Sequence, residues 1–153
     1  MTTQSSDLTW VCDDAAIDWH ELSELYRIAP LGEKPSATLK LVFGNSRYKC
    51  FVFRDGKIIA VGRALADGAD CSYICDVAVH PDCQGEGLGK RIIEKLVELS
   101  RDHKKIILYA NPGAEPFYKK LGFLPMNTAM AIFSNQAEAV QKGILNGSTA
   151  KPT

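Results

Sequence analysis

The sequence predicts a mixed α/β (α+β) fold, and three observations predict it. An apolar strand ending at His80 runs through a Gly-rich loop straight into an amphipathic helix, and a second short apolar strand follows. Strand, helix and strand over this length make a βαβ crossover, so these two strands run parallel. Upstream, two strand-like runs separated by Asp55-Gly56 read instead as an antiparallel hairpin.

The elements follow in order. Leu8 to Cys12 reads as a first strand, and Asp14 or Asp18 caps a helix carrying Ile17, Leu22, Leu25 and Ile28. Pro30, Gly32 and Pro35 stop it. Ser36 caps a short second helix that ends at Gly44-Asn45. Tyr48 to Phe53 and Lys57 to Ala66 form the hairpin, and Asp67-Gly68-Ala69-Asp70 turns the chain into Ser72 to His80. That strand is mostly apolar and is expected to be central and covered on both faces. Leu88, Ile92, Ile93, Leu96, Val97 and Leu99 mark the buried face of a helix reaching about Asp102. Lys105 to Ala110 is a buried strand, Ala114 to Leu121 a short helix, Ala129 to Phe133 a last strand, and Gln136 to Leu145 a loose helix. Residues 1–135 are expected to form one domain, with 136–153 a polar tail whose end is disordered.

Composition narrows the function. Eighteen basic and 18 acidic residues cancel, so the charge balance points to neither nucleic acid nor an anionic membrane. The apolar runs are too short to span a bilayer and MTTQSSDLTW has no signal-peptide core, so the expected location is cytoplasmic. Five cysteines are odd in number and include no CxxC. Cys71 and Cys75 lack a nearby Cys/His pair, so no metal site is expected and the thiols read as reduced.

Chemistry concentrates in Gln84-Gly85-Glu86-Gly87-Leu88-Gly89 and the following Lys90. Where a strand enters a helix through glycines, the first helical N–H groups can hold a phosphate, and Gly87 and Gly89 remove Cβ atoms that would keep it at a distance. A Gly-rich turn that binds nothing is the competing reading.

Three pieces in fixed order resemble the GCN5-related N-acetyltransferase family: DVAVHP from Asp76, QGEGLG at Gln84, Gly87 and Gly89, and ILYANPGAEPFYKKLGF from Ile107 to Phe123. The resemblance covers Tyr48 to Phe133 well. It implies a central mixed sheet of six or seven strands whose parallel pair splays apart, flanked by about four helices, with acetyl-CoA as co-substrate and no metal. Its pyrophosphate would rest on Gln84, Gly85, Gly87, Leu88, Gly89 and Lys90, and its pantetheine arm on Val77, Ala78 and Val79. Asn111 would bond that arm and Tyr118 would face the sulfur. Glu86 stands at a variable, solvated position. In this region the chain also resembles plastid and bacterial serotonin N-acetyltransferases. Dimers are common in the family, so a homodimer is implied.

Acyl transfer to an amine requires a neutral amine, a stabilised oxyanion and a proton for the leaving thiolate. Tyr118, a phenol protonated at neutral pH, is the expected acid, against a plain core aromatic. No glutamate stands where relatives carry one, near Tyr73 or Cys75, which leaves Asp76 to bind the cationic amine or orient water, or to accept loop N–H groups. Even pleating would put Tyr73, Cys75, Val77 and Val79 on one face and Asp76 on the other, although relatives bulge just after this acid, which can re-aim it. His80 lies nearer the pyrophosphate loop than the thioester. His20 and His103 read as solvated, Cys75 as a small core residue and Cys83 as an oxidisable loop thiol. Trp19, Tyr26, Phe43 and Tyr73 could line an aromatic amine pocket, with Tyr26, Tyr73 and Cys75 the substrate candidates.

The expected function is therefore direct acetyl transfer from acetyl-CoA to a small primary amine, arylalkylamine-like or polyamine-like. A protein lysine is the alternative acceptor. An acyl-CoA binding module without activity is a second class of reading. A nucleotide-binding domain is a third, and Asn111 rather than a ribose-binding acid near the next strand's end argues against it.

Overall fold

The computed structural model describes residues 7–147. Of these, the residues up to Leu108 form one compact unit and those from Tyr109 onward another.

In the first unit the strands are β1 (Leu8–Val11), β2 (Tyr48–Arg54), β3 (Lys57–Ala66), β4 (Cys71–Val79) and β5 (Lys105–Ile107). They form one sheet in the order β1-β2-β3-β4-β5. The first four are antiparallel neighbours, and β5 runs parallel to β4 through Cys71↔Lys105, Ser72↔Ile106 and Tyr73↔Ile107. Beyond Tyr73, β4 keeps only its β3 partner among the described residues, so the parallel pair parts after three residues. The described sheet thus has five strands rather than six or seven.

Helix α1 (Trp19–Ile28) starts at Asp18, whose carboxylate accepts from the N–H groups of His20 at 3.0 Å and Glu21 at 3.2 Å, so Asp18 and not Asp14 is the cap. Helix α2 (Ser36–Gly44) begins one residue earlier than Ser36 as a cap would require. Pro35 holds the cap position and no side chain caps the helix. Leu22, Leu25, Tyr26, Leu39 and Phe43 of these helices pack with Phe51, Val61 and Ala78. Helix α3 (Leu88–Leu99) buries Leu88, Ile92, Ile93 and Leu96 at helical spacing. It ends at Leu99, three residues short of the expected Asp102. Neighbouring strand residues point to opposite faces. Val61 therefore meets α1 and α2, while Gly62 faces Ile92 and Leu96 of α3.

His103 corrects the expectation of a solvated imidazole. Its side chain is 1% exposed, Nε2 accepts the Gly68 N–H at 2.9 Å, and Nδ1 lies 3.0 Å from the Ser100 carbonyl. The neutral Nδ1–H tautomer satisfies both contacts, and the ring edges against Tyr48. It joins the turn after β3 to the end of α3.

The second unit holds α4 (Glu115–Lys120) and α5 (Gln136–Gln141). The expected strand at Ala129 to Phe133 does not form. Ala129, Met130 and Ala131 are weak strand formers, and Met130 and Ile132 are 96% and 94% exposed. The Phe133 N–H donates to Gln136 Oε1 at 2.6 Å. The expected disordered tail lies, beyond Gly147, outside the described residues. No described helix is long and apolar enough to cross a membrane.

Candidate active site

The loop leaving β4 is shaped by local bonds. The His80 N–H reaches the Ile59 carbonyl at 2.7 Å, and its Nδ1 accepts the Asp82 N–H at 3.1 Å, capping a single 3-10 turn, Pro81–Cys83. That role in holding the turn occupies the imidazole. Gln84 Nε2 returns to the Val79 carbonyl at 3.4 Å. Gly85 and Gly87 then adopt φ of 87° and 80°, and a Cβ at either would meet nothing within 4 Å. Conformation, not crowding, requires glycine here. Gly87 is the cap residue of α3 and brings no side chain to its first N–H groups. Those amides and the exposed Lys90 form a surface fit for a pyrophosphate. Glu86 is exposed, as expected, and its two oxygens lie 3.2 and 3.4 Å from Arg54. Cys83 is buried at 6% exposure, and burial raises its thiol pKa, which replaces the expected oxidisable loop thiol.

Strand β4 departs from even pleating at Asp76. Arg63 pairs with Cys75 but Val61 with Ala78, so β4 takes three steps where β3 takes two. Asp76 absorbs the extra residue at φ 54°, a left-handed conformation costing about 1–2 kcal/mol for a residue with a Cβ. The two faces exchange across this bulge. Ser72 bonds Ser100 at the end of α3 at 2.8 Å. Val77 and Val79 also turn to the α3 side, 3.3 Å and 3.7 Å from where a Cβ on Gly62 or Gly89 would stand. Ala78 joins the α1–α2 core. Val77 to Val79 keep backbone groups on the side away from β3 without a strand partner among the described residues.

The bulge is held by a polar cluster. Tyr26 Oη donates to the Asp76 carbonyl at 2.6 Å. Arg63 Nε donates to Asp76 Oδ2 at 2.7 Å, and its NH1 reaches Ser46 Oγ at 3.2 Å. Lys34 Nζ stands 3.4 Å from Asp76 Oδ1. The carboxylate is therefore paired with cations rather than with loop N–H groups. Neither Arg63 as its partner nor Lys34 was legible as a member of this cluster, because the contacts span 13 and 42 residues of sequence.

The substrate candidates divide. Tyr26 is fully buried, its hydroxyl bonded within the fold and its ring lying under Lys34 Nζ, and burial above all, with the nearby Asp76 charge, raises its pKa well above 10. Phe43 is likewise core. Tyr73 and Cys75 stay half-buried on β4. Burial pushes the Cys75 thiol up to about 11, which keeps it protonated and a poor nucleophile.

In the second unit Asn111 is exposed at the turn before α4, its carbonyl accepting the Ala114 N–H at 2.9 Å. Tyr118 is half-buried between Phe117 and Phe123, with ring centroids 5.0 and 6.0 Å away. Burial raises its pKa above 10, so the phenol keeps its proton at neutral pH. Among the described residues no group of three His, Cys, Asp or Glu could hold a metal.

The profile of the Acetyltransferase (GNAT) family matches residues 17–123. "Uncharacterized N-acetyltransferase ycf52" of Pyropia yezoensis is 33% identical over 114 residues, 71% of this chain and 66% of that protein. "Serotonin N-acetyltransferase 2, chloroplastic" of Oryza sativa subsp. japonica is 43% identical over 70 residues, 44% of this chain and 35% of that protein. "Histone acetyltransferase TAP1" of Glycine max is 45% identical over 69 residues, 44% of this chain and 30% of that protein. The chain thus spans about two-thirds or less of the length of these relatives. Solved acetyltransferase structures share its fold at TM-scores such as 0.76 and 0.72, with 22% and 16% identity, covering 91% and 85% of this chain and 97% and 99% of theirs. The chain belongs to the acetyltransferase (GNAT) family.

Proposed function

We propose that the chain moves the acetyl group of acetyl-CoA directly to a primary amine of a small molecule, arylalkylamine-like or polyamine-like. The observation that carries this reading is left-handed Gly87, which opens the first amides of α3 at the end of a strand with an unpaired edge. These features fit a pyrophosphate and an extended pantetheine arm. Bound acetyl-CoA supplies the thioester carbonyl. In this reading Gly85 to Lys90 hold the pyrophosphate, Val77 to Val79 offer backbone groups to the arm, and Asn111 adds a side-chain amide.

Tyr118 donates its proton to the leaving thiolate. An alkylammonium is only ~0.1% neutral at pH 7.4, a deficit of about 4 kcal/mol. Asp76 draws the cationic amine in rather than deprotonating it directly, and orientation of the neutral fraction supplies further rate. The serotonin-named relative supports an arylalkylamine and the Asp76 carboxylate supports any small cation. The histone-named relative favours the second acceptor, a protein lysine. The five free thiols fit a reducing, cytoplasmic setting.

The test is thiol release from acetyl-CoA with serotonin, tryptamine, phenylethylamine, spermidine and lysine peptides. Turnover with one of the small amines is the expected result. Turnover with lysine peptides alone replaces the acceptor. Cofactor binding without turnover makes the chain a binding module.

A further inference from the structure

We propose that Lys34 is an internal stand-in for the acceptor, occupying the ammonium site at Asp76 until a cationic amine displaces it. The inference deepens the N-acetyltransferase reading and rests on it only for the identity of the incoming amine.

The site is built for a primary ammonium. Asp76 Oδ1 lies 3.4 Å from Lys34 Nζ, and the Tyr26 ring lies beneath the same nitrogen at 5.5 Å from its centroid. A carboxylate and an aromatic face together recognise a cation better than either alone. The two cations on Asp76 are not equivalent. Arg63 donates at 2.7 Å, is 13% exposed and is tied to Ser46, so it is the fixed partner. The Lys34 contact is longer, its side chain is 27% exposed, and it rises from the connection between α1 and α2. The Lys34 carbonyl accepts from Ser23 Oγ at 2.6 Å, which anchors the backbone and leaves the flexible stem as the part that moves.

Arg63 occupies Oδ2, so Oδ1 is the oxygen left for one further cation at a time. An incoming primary amine offers the same donor set and charge as Lys34, and exchange leaves no buried charge unpaired. Lys34 therefore keeps the carboxylate satisfied in the empty protein and sets an affinity threshold that only a cationic amine overcomes.

The test is calorimetric titration of phenylethylamine and of spermidine into the wild type, Lys34→Met, Lys34→Arg and Lys40→Met, with the KM of each amine read by thiol release in parallel. Lys34→Met is expected to lower Kd and KM about twofold to fivefold with kcat little changed, the range of a part-exposed ion pair. Lys34→Arg restores the wild-type value. Lys40→Met, which removes a charge from an exposed residue of α2, leaves it unchanged. Unchanged or weaker binding in Lys34→Met overturns the inference, as does an equal gain in Lys40→Met. Tightened amine binding without any turnover leaves displacement standing and rejects acetyl transfer. Turnover with an unaltered KM does the reverse.

Discussion

Gly62→Ala tests how the sheet carries α3. Gly62 sits in β3 opposite Cys50, and a Cβ built there would lie 2.6 Å from Ile92 Cγ2, 3.0 Å from Leu96 Cδ1 and 3.3 Å from Val77 Cγ2. Carbon atoms rest at about 3.5–4.0 Å, so Ile92 must retreat by roughly 1 Å. Ile92 and Leu96 are both fully buried, so their retreat presses on the core around them. Overpacking of this kind costs about 1–3 kcal/mol, offset by about 0.5–1 kcal/mol from replacing a strand glycine. The expected net loss is about 1–2 kcal/mol, a fall in Tm of roughly 2–8 °C for a chain of this size.

Urea unfolding followed by circular dichroism measures the loss. Ile92→Leu removes the offending Cγ2 at constant volume and is expected to cost less than about 1.5 kcal/mol alone. Combined with Gly62→Ala it should recover at least about 0.5 kcal/mol relative to the sum of the single changes. A Gly62→Ala protein as stable as the wild type, or strict additivity in the cycle, refutes the close approach of α3 to β3.

Other outcomes follow from the same reasoning. Tyr118→Phe should lower kcat more than tenfold while acetyl-CoA affinity, read by calorimetry, stays within about twofold; equal kcat from pH 6 to 9 removes Tyr118 from the chemistry. His103→Ala strands the Gly68 N–H and the Ser100 carbonyl, and a loss of about 1–3 kcal/mol in urea unfolding is expected. Asp67 accepts N–H bonds from Ala69 and Asp70, and from Cys71, which hold its pKa down at about 2. Its stabilisation is present above its ordinary pKa of about 3.9 and is lost as pH falls towards about 2. Asp67→Ala should flatten the stability profile in that window; an unchanged acid limb refutes the turn's role.

Local chemistry made much of this protein readable from its residues alone. Asp18 caps α1 because its carboxylate reaches N–H groups two and three residues away, and Asp55-Gly56 closes the hairpin through two positive-φ residues in sequence. The loop from Gln84 to Lys90 is legible for the same reason: a glycine-opened helix start is written in adjacent positions. Signals failed where the deciding partner is distant. Ala129 to Phe133 has a strand-like apolar run, but strands need a ladder partner that no local pattern supplies. His103 reads as a polar helix-end residue, and only Gly68, 35 positions away, makes it a buried bonded imidazole. The register of β4 is the sharpest case. Composition placed Asp76 on that strand, whereas its pairing with Arg63, Lys34 and Tyr26 depends on one residue's worth of bulge against β3. A single-step shift turns every later side chain to the other face, so which groups share the candidate site is a property of tertiary pairing, while the presence of those groups is a property of the sequence.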